Sequence, residues 1–201
     1  IQAIAAALLL KEFAGVKSVL VVVPKSVFKH WESEIKRFAG EDSVTISGSP
    51  RQRASGYLTN SLFKLVTLES MRKDFPEIGL PDLVIIDEIH RLNKMIEEVL
   101  YSAMESRVLN LVLGKRSSTR TVQLDLPAFT LIGATTRIGL LSSPLRSRFG
   151  AIFKLNFYEI EDIKKILKNN AKLLNIKISD EATEVLAKAS RATPRVANRL
   201  L

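Results

Sequence analysis

The chain has 201 residues, of which 46% are hydrophobic and 25% are charged. This composition is typical of a globular protein and excludes a disordered chain. It has no cysteine, which excludes disulfides and thiolate metal sites and fits a reducing, cytoplasmic compartment. The net charge of +9 fits a polyanionic partner, although a solvated basic surface would explain the same charge. No apolar run approaches the roughly 20 residues of a membrane span, so no membrane partner is expected.

The first half of the sequence alternates helical and strand patterns. Apolar spacing predicts a helix over residues 1–13 that ends at Gly15, and the β-branched run from Val19 to Val23 predicts a buried strand. Ser26 is predicted to cap a helix that reaches Phe38. Further strands are predicted at residues 44–46, 63–68 and 83–87, with a helix at 51–59.

The second half begins with a helix capped by Asn93 and ends in a purely helical pattern. Between them lie a hairpin over residues 108–126, whose tip is basic, and predicted strands at 129–133 and 152–155. A short helix is predicted at Ser143-Pro144, and three more helices are predicted at 160–174, 180–190 and 194–201, the last two capped by Ser179 and Thr193. These elements predict an α/β core over residues 1–156 and an all-helical domain over 157–201. Because the chain starts at Ile1 and ends within a helical pattern, we expect a piece of a longer protein.

The most informative stretch is Asp82 to Lys94, in which an apolar run ends in two adjacent acids, Asp87 and Glu88. Such a run is typical of a strand buried on both faces of a parallel sheet, and open α/β sheets bind ligands at the carboxyl ends of their strands. In nucleoside-triphosphate hydrolases the first acid helps to hold Mg²⁺ and the second orients or activates water. The alternative is a solvated strand end. His90 is interpreted as a structural hydrogen-bonding residue without a catalytic role.

Residues 84–201 resemble the RuvB family of Holliday-junction branch-migration motors, which belong to the AAA+ class. The resemblance rests on several blocks in the same order: Asp-Glu-Ile-His-Arg-Leu-Asn-Lys (87–94), Glu-Glu-Val-Leu-Tyr (97–101), Leu-Asp-Leu-Pro (124–127), Gly-Ala-Thr-Thr-Arg (133–137), Ser-Pro-Leu-Arg-Ser-Arg-Phe-Gly (143–150) and Thr-Pro-Arg-Val-Ala-Asn-Arg-Leu-Leu (193–201). The resemblance implies a three-layer core of the P-loop NTPase type followed by an AAA+ lid. It also implies ATP and Mg²⁺ as cofactors.

The resemblance further implies roles for single residues. Asp87 and Glu88 would be the Walker B acids, with Asp87 on the metal, and Thr135 or Thr136 would be the sensor near the γ-phosphate. Arg148, with Arg146 beside it, would be the arginine finger offered to a neighbouring subunit, and Pro194-Arg195 would supply the second sensor from the lid. These cations suit phosphoryl transfer because arginine presents a rigid fork to phosphate oxygens.

The implied partners are DNA, as a Holliday junction or a duplex, and further copies of the chain in a hexameric ring. The hairpin at 108–126 resembles the element that docks RuvA, the junction-binding partner. Its basic tip carries Lys115, Arg116 and Arg120, and a solvated loop remains an equal interpretation of that tip.

Residues 1–80 resemble a different class, the Swi/Snf-type superfamily-2 helicases. The resemblance rests on Leu-Val-Val-Val-Pro-Lys-Ser-Val-Phe-Lys-His-Trp-Glu-Ser-Glu-Ile (20–35), Ile-Ser-Gly-Ser-Pro-Arg-Gln-Arg (46–53) and Val-Thr-Leu-Glu-Ser-Met-Arg-Lys-Asp (66–74). Both classes share the Asp-Glu-x-His-Arg core, so the chain resembles a chimera that changes family within a common motif.

Two departures from the family patterns bear on function. No Gly-x-x-x-x-Gly-Lys-Ser/Thr occurs in the sequence, so the loop that would cradle the phosphates is missing, and Arg191-Ala-Thr-Pro-Arg stands where the family has Arg-Gly-Thr-Pro-Arg. The sequence therefore predicts part of an ATP-driven DNA motor of the RuvB type. Whether this chain itself hydrolyses ATP is left open. The alternatives are part of a Swi/Snf-type translocase and a non-catalytic module that docks DNA or a RuvA-like protein.

Overall fold

The computed structural model describes residues 1–74, 81–113 and 120–201. It divides into two compact units, residues 1–150 and 151–201. In the described residues, no helix combines the length and the apolar character needed to cross a membrane.

The first unit is built on a five-stranded parallel sheet with the strand order β2-β3-β1-β4-β7. Its strands are β1 (Val19–Val22), β2 (Ser43–Thr45), β3 (Phe63–Val66), β4 (Leu83–Ile86) and β7 (Thr130–Gly133). Between β4 and β7 the chain forms a separate antiparallel hairpin of β5 (Val108–Leu113) and β6 (Arg120–Asp125). The predicted hairpin is therefore confirmed, whereas its tip, residues 114–119, lies outside the described residues.

Helices cover both faces of this sheet, which gives the predicted three-layer α/β/α architecture. The helices of the first unit are α1 (Gln2–Ala14), α2 (Phe28–Ala39), α3 (Pro50–Tyr57), α4 (Leu68–Asp74), α5 (Lys94–Ser106) and α6 (Ser143–Ser147). One core cluster joins α1 and α2 to the sheet through Ile4 and Ile35. A second cluster on the other face joins α4, α5 and α6 through Met71, Ile96 and Leu145.

The second unit contains the three predicted lid helices, α7 (Ile160–Leu173), α8 (Asp180–Ala189) and α9 (Pro194–Leu200). They enclose a small core of Ile163, Leu167, Ala187 and Ala197. Ser179 caps α8 as predicted, because its hydroxyl accepts a hydrogen bond from the Ala182 amide at 3.1 Å. The helical period of the sequence was sufficient to locate this unit.

One predicted helix cap is wrong, and another is confirmed in position only. A 3₁₀ turn over Lys25–Val27 precedes α2, so Val27 rather than Ser26 occupies its cap position. Thr193 occupies the cap position of α9 as predicted, but its side chain forms no cap hydrogen bond, and its hydroxyl donates to the Arg191 carbonyl at 3.1 Å. The helix α4 was not predicted at all.

The predicted strand over residues 152–155 is also wrong, since residues 151–159 have no regular structure. An extended segment becomes a strand only by pairing with another strand, and none pairs with it in the described residues. The segment is strongly apolar and nevertheless exposed: Phe153 is 85% exposed and Phe157 is 81% exposed.

Candidate functional site

The two predicted acids lie at the carboxyl edge of the parallel sheet. All four residues of β4 are buried, and Asp87 follows immediately, half-buried, with its amide donating to the Val22 carbonyl at 3.2 Å. Parallel strands end at one common edge, so the chain segments that follow β1, β4 and β7 meet there. This edge is where open α/β sheets accommodate ligands.

Glu88 has a backbone conformation that non-glycine residues rarely adopt. Its φ is 54° and its ψ is 45°, in the left-handed region, which costs roughly 1–2 kcal/mol for a residue with a Cβ. The conformation turns the chain from β4 into a 3₁₀ turn over Ile89–Arg91, whose first amide donates to the Ala134 carbonyl at 3.0 Å. A strained residue held by its neighbours at a strand end is a common feature of functional sites.

His90 connects the second acid to the predicted sensor. Its Nδ1 lies 2.9 Å from the Thr135 hydroxyl and 3.2 Å from a carboxylate oxygen of Glu88. The Thr135 hydroxyl also accepts a hydrogen bond from the Arg137 amide at 3.0 Å, which fixes its position. Thr136, the other predicted sensor, is exposed. The structure thus brings Glu88 and Thr135 together through a histidine that the sequence had not placed in the site.

A cavity of about 250 Å³ opens beside the acids, at the carboxyl ends of β3, β1 and β4. Its polar lining consists of Lys25, Thr67, Glu69, Asp87, Glu88 and Arg91. Thr135 follows β7, on the opposite side of β4 from β1 and β3. Asp87 therefore stands between the cavity and the sensor strand.

Trp31 of α2 reaches the first acid from the face of the sheet covered by α1 and α2. Its indole nitrogen donates to Oδ2 of Asp87 at 3.3 Å, while its ring packs against the first core cluster. The sequence gives no sign of this contact, because helical periodicity does not show which loop a side chain reaches.

The predicted arginine finger is held within its own unit. Arg148 forms an ion pair with Glu105 of α5, donates to the Pro144 carbonyl at 3.1 Å and lies over the Tyr101 ring at 5.3 Å. Its Nε is buried without a hydrogen-bond partner among the described residues. Arg146, two residues earlier in α6, is half-buried. A role toward a neighbouring subunit would require Arg148 to leave Glu105.

The predicted second sensor lies in the helical unit. Pro194 occupies the first turn of α9, where its missing N–H is not needed, and Arg195 follows it, exposed. The two residues before Thr193 have positive φ, 52° at Arg191 and 56° at Ala192. Ala192 occupies the position where the family motif has glycine, and its conformation explains that preference.

The donor set fits a magnesium ion but not the nucleotide phosphates. No group of three or more His, Cys, Asp or Glu side chains in the described part of the chain could hold a metal on its own. Mg²⁺ does not require one, since it is usually held by one or two carboxylates together with phosphate oxygens and water, and Asp87 and Glu88 supply the carboxylates. The phosphates are different, because the sequence contains no glycine-rich loop to cradle them.

Two family models match the chain. The model described as the Holliday junction DNA helicase RuvB P-loop domain matches residues 67–155, and the RuvB AAA lid domain matches residues 158–201. The first match begins at residue 67, earlier than the predicted start of the resemblance at residue 84, and includes part of the segment that resembles Swi/Snf-type helicases.

Curated relatives agree with these matches. The RuvB subunit of the Holliday junction branch migration complex from Kosmotoga olearia is 57% identical over 120 residues, which cover 60% of this chain and 35% of the relative. The corresponding Rickettsia africae subunit is 58% identical over 120 residues, with the same coverage. The chain therefore spans about a third of the length of the curated relatives that it matches.

Solved structures show the same relation over the whole chain. The Thermotoga maritima RuvB Holliday junction branch migration motor superposes with a TM-score of 0.57 at 36% identity, covering 99% of this chain and 58% of that one. The Hef helicase domain of Pyrococcus furiosus superposes with a TM-score of 0.51 at 15% identity, covering 98% of this chain and 46% of that one, and shows a shared fold alone. Through the P-loop domain match at residues 67–155 and the lid match at residues 158–201, these parts of the chain belong to the RuvB family.

Proposed function

We propose that this chain is part of an ATP-driven DNA motor of the RuvB type, which moves Holliday junctions in recombination and repair. The observation that carries the proposal is the cluster at the carboxyl edge of β4 and β7. There Asp87 and Glu88 follow one strand, Thr135 follows the next, and His90 contacts both Glu88 and Thr135. The family matches support this reading over that of a Swi/Snf-type translocase.

In this proposal the two acids have different tasks. Bound Mg²⁺ would supply positive charge next to the phosphates, and the carboxylate of Asp87 would hold it. Glu88 would orient the attacking water and accept its proton. His90 would keep Glu88 and Thr135 at a fixed separation, so that the water and the sensor hydroxyl lie on the same side of the site.

The arginines are proposed to act on the nucleotide from other directions. Arg148 would exchange Glu105 for the phosphates bound by a neighbouring subunit, with Arg146 beside it, and Arg195 would approach from the lid. Arginine suits both positions because its planar group forms paired hydrogen bonds with phosphate oxygens. The phosphate-cradling loop is not in these 201 residues, so the chain supplies the acid, sensor and arginine parts of the site.

The proposed partners are DNA, a RuvA-like protein and further copies of the chain in a hexameric ring, in the cytoplasm. The net charge of +9 favours contact with a polyanion. The hairpin β5-β6 is the proposed docking element for the RuvA-like protein, and Lys115 and Arg116 at its tip lie outside the described residues.

Calorimetric titration of ATP in the presence and absence of Mg²⁺ tests the proposal. We expect weak ATP binding that depends on Mg²⁺, since no glycine-rich loop contributes to it. Asp87→Asn should weaken this binding by at least about tenfold, because a lost ligand contact to the ion removes about 1.4 kcal/mol or more. Asp42→Asn is the matched control, because Asp42 is a surface carboxylate whose side chain is 88% exposed.

ATP binding that is equal with and without Mg²⁺, or equal in Asp87→Asn and the unaltered chain, would contradict the proposed role of the acids. Absence of any binding would leave the non-catalytic docking module as the function of these residues.

A further inference from the structure

Asp87 has a hydrogen-bond partner that the family motif does not contain. Trp31 lies in α2, outside the residues 67–155 that match the RuvB P-loop domain, and its indole nitrogen donates to Oδ2 of Asp87 at 3.3 Å. An indole has one donor and no acceptor, and an ionised carboxylate only accepts, so the direction of this hydrogen bond is certain.

The indole is held in place from its other side. Its ring packs against the core cluster that contains Phe28 and Ile35 of the same helix, and Ile35 is fully buried. The neighbouring residue Glu32 accepts a hydrogen bond from Thr45 of β2, which ties α2 to the sheet. An aromatic side chain with a packed ring and a polar tip is well suited to fix a partner group.

The Asp87 carboxylate gains an orientation from this contact. Its backbone is fixed by the amide hydrogen bond to the Val22 carbonyl, but that bond leaves the side chain free to rotate. With Oδ2 bound to the indole, Oδ1 is the oxygen left for a cation. Carboxylates that bind metals are commonly oriented in this way by a hydrogen bond to the oxygen that does not bind.

We propose that Trp31 is a positioning residue for Asp87: its indole N–H holds Oδ2 and presents Oδ1 to a hard divalent cation. The inference rests on the proposed cation-binding role of Asp87 and deepens it. It also gives residues 1–66 a part in the site, although every acid and arginine assigned above lies in residues 67–201.

A Mn²⁺ titration followed by nuclear magnetic resonance tests this inference site by site. Mn²⁺ is a hard cation that broadens the resonances of nearby nuclei, so the amide signals of residues 87–90 report binding at this position in every variant. Before any metal is added, the indole N–H resonance of Trp31, the single tryptophan, should move in Asp87→Ala because its acceptor is lost.

Three variants separate the hydrogen bond from packing. Trp31→Phe removes the N–H and keeps a ring, and we expect the Mn²⁺ midpoint to rise about tenfold, as for other residues that orient metal ligands. Asp87→Asn should abolish the broadening. Ile35→Val is the matched control, since it loosens the packing of the same helix without removing the hydrogen bond, and the midpoint should not change.

An unchanged midpoint in Trp31→Phe, or an equal rise in Ile35→Val, would overturn the inference and leave the cation site at Asp87 intact. Broadening that is absent, or that persists in Asp87→Asn, would overturn the cation site itself, and the role of Trp31 with it.

Discussion

Residues 1–66 and residues 67–150 contribute different things to one sheet. The first region supplies β1, β2 and β3, whereas the second supplies β4, β7 and the acids and sensor of the candidate site. Only the second region falls within the RuvB P-loop domain match. Residues 1–66 thus act mainly as a scaffold, and residues 67–150 carry the candidate site. The scaffold lies in the segment that resembles Swi/Snf-type helicases, a different class of motor.

Both strands at the boundary between the two regions, β1 and β4, are buried along their whole length. Strand β1 pairs with β4 over four residues, from Val19 with Leu83 to Val22 with Ile86. Val21 and Ile85, paired at the middle of this boundary, are both fully buried. The regions therefore share one hydrophobic core rather than lying side by side.

The largest expected effect comes from the ion pair that joins the regions. Arg53 of α3 forms hydrogen bonds from Nε to both oxygens of Asp74 at the end of α4, and Tyr57 donates to the same carboxylate at 3.4 Å. The side chains of Arg53 and Asp74 are only 13% and 11% exposed. Asp74→Ala should lower the free energy of unfolding by about 3–5 kcal/mol, because it removes the carboxylate that compensates the charge of a nearly buried guanidinium. Urea denaturation measures the loss.

Lys73→Ala is the control for this variant, since Lys73 forms an exposed pair with Glu69, and the substitution should cost at most about 0.5 kcal/mol. A similar loss of unfolding free energy in both variants would show that the buried ion pair does not stabilise the contact between the two regions. The same environment affects Tyr57, since burial and then the charge of Asp74 raise the pKa of its hydroxyl.

The next effect tests the shared core directly. Ile85→Ala removes three carbon atoms from the middle of β4, where no side-chain surface reaches water, and should cost about 3 kcal/mol. Leu58→Ala, at a side chain that is 87% exposed, should cost almost nothing. If urea denaturation of Ile85→Ala showed two separate transitions, residues 1–66 and 67–150 would be independent folding units.

A smaller effect concerns the helical unit and is expected to stabilise it. Ala192 has a φ of 56°, where a Cβ is disfavoured, so Ala192→Gly should add about 1 kcal/mol to the stability of residues 151–201. Ala182→Gly, in the first turn of α8, should have the opposite sign and at most about the same size. Thermal denaturation of both variants provides the comparison. A loss of stability in Ala192→Gly would show that its backbone conformation is not the cause of the glycine in the family motif.

The smallest effect depends on pH and lies at the amino end of the boundary. Asp82 accepts hydrogen bonds from the amides of Lys17 and Ser18, at 2.8 and 2.9 Å. The hydrogen bond from the Lys17 amide lowers the pKa of the Asp82 carboxyl below its ordinary value of 3.8. Partial burial acts in the opposite direction, and the hydrogen bonds from Ser18 lower the pKa further. A lowered pKa stabilises the fold above that ordinary value, and the contribution is lost as the pH falls through the folded-state pKa.

Asp82→Asn should therefore be less stable than the unaltered chain at pH 7, and the difference should shrink as the pH falls below 4. Urea denaturation across this range measures it. A stability difference between the two chains that stays constant with pH would show that the charge of Asp82 does not contribute to its hydrogen bonds with Lys17 and Ser18.

The sequence was sufficient for the parts of the fold that depend on local pattern. Val19–Val22 and Leu83–Ile86 are continuous β-branched or aliphatic runs, and they form the buried central strands that such runs predict. Residues 152–155 are also mostly apolar, apart from Lys154, and yet fail to form a strand, because strand formation depends on a partner that periodicity does not specify.

The candidate site was predictable only in part, for a similar reason. The acids Asp87 and Glu88 stand beside a strand in the sequence, so their location at the sheet edge follows from the strand prediction. His90 and Trp31 join the site across 45 and 56 residues of sequence, to Thr135 and Asp87 respectively, and only the packed tertiary structure brings them there. A histidine two residues after an acid was a signal, but it did not identify the partner.

The scaffold region (residues 1–66) and the site region (residues 67–150) form one cooperative sheet, and native-state amide hydrogen exchange tests this cooperativity most directly. The amides of Val19 and Val23 donate within the first region, to Leu62 and Val66, whereas those of Leu83 and Asp87 donate across the boundary, to Ser18 and Val22. All four should exchange with the same opening free energy, equal to that of global unfolding. A lower opening free energy for Leu83 and Asp87 than for Val19 and Val23 would contradict the claim, because the boundary would then open on its own.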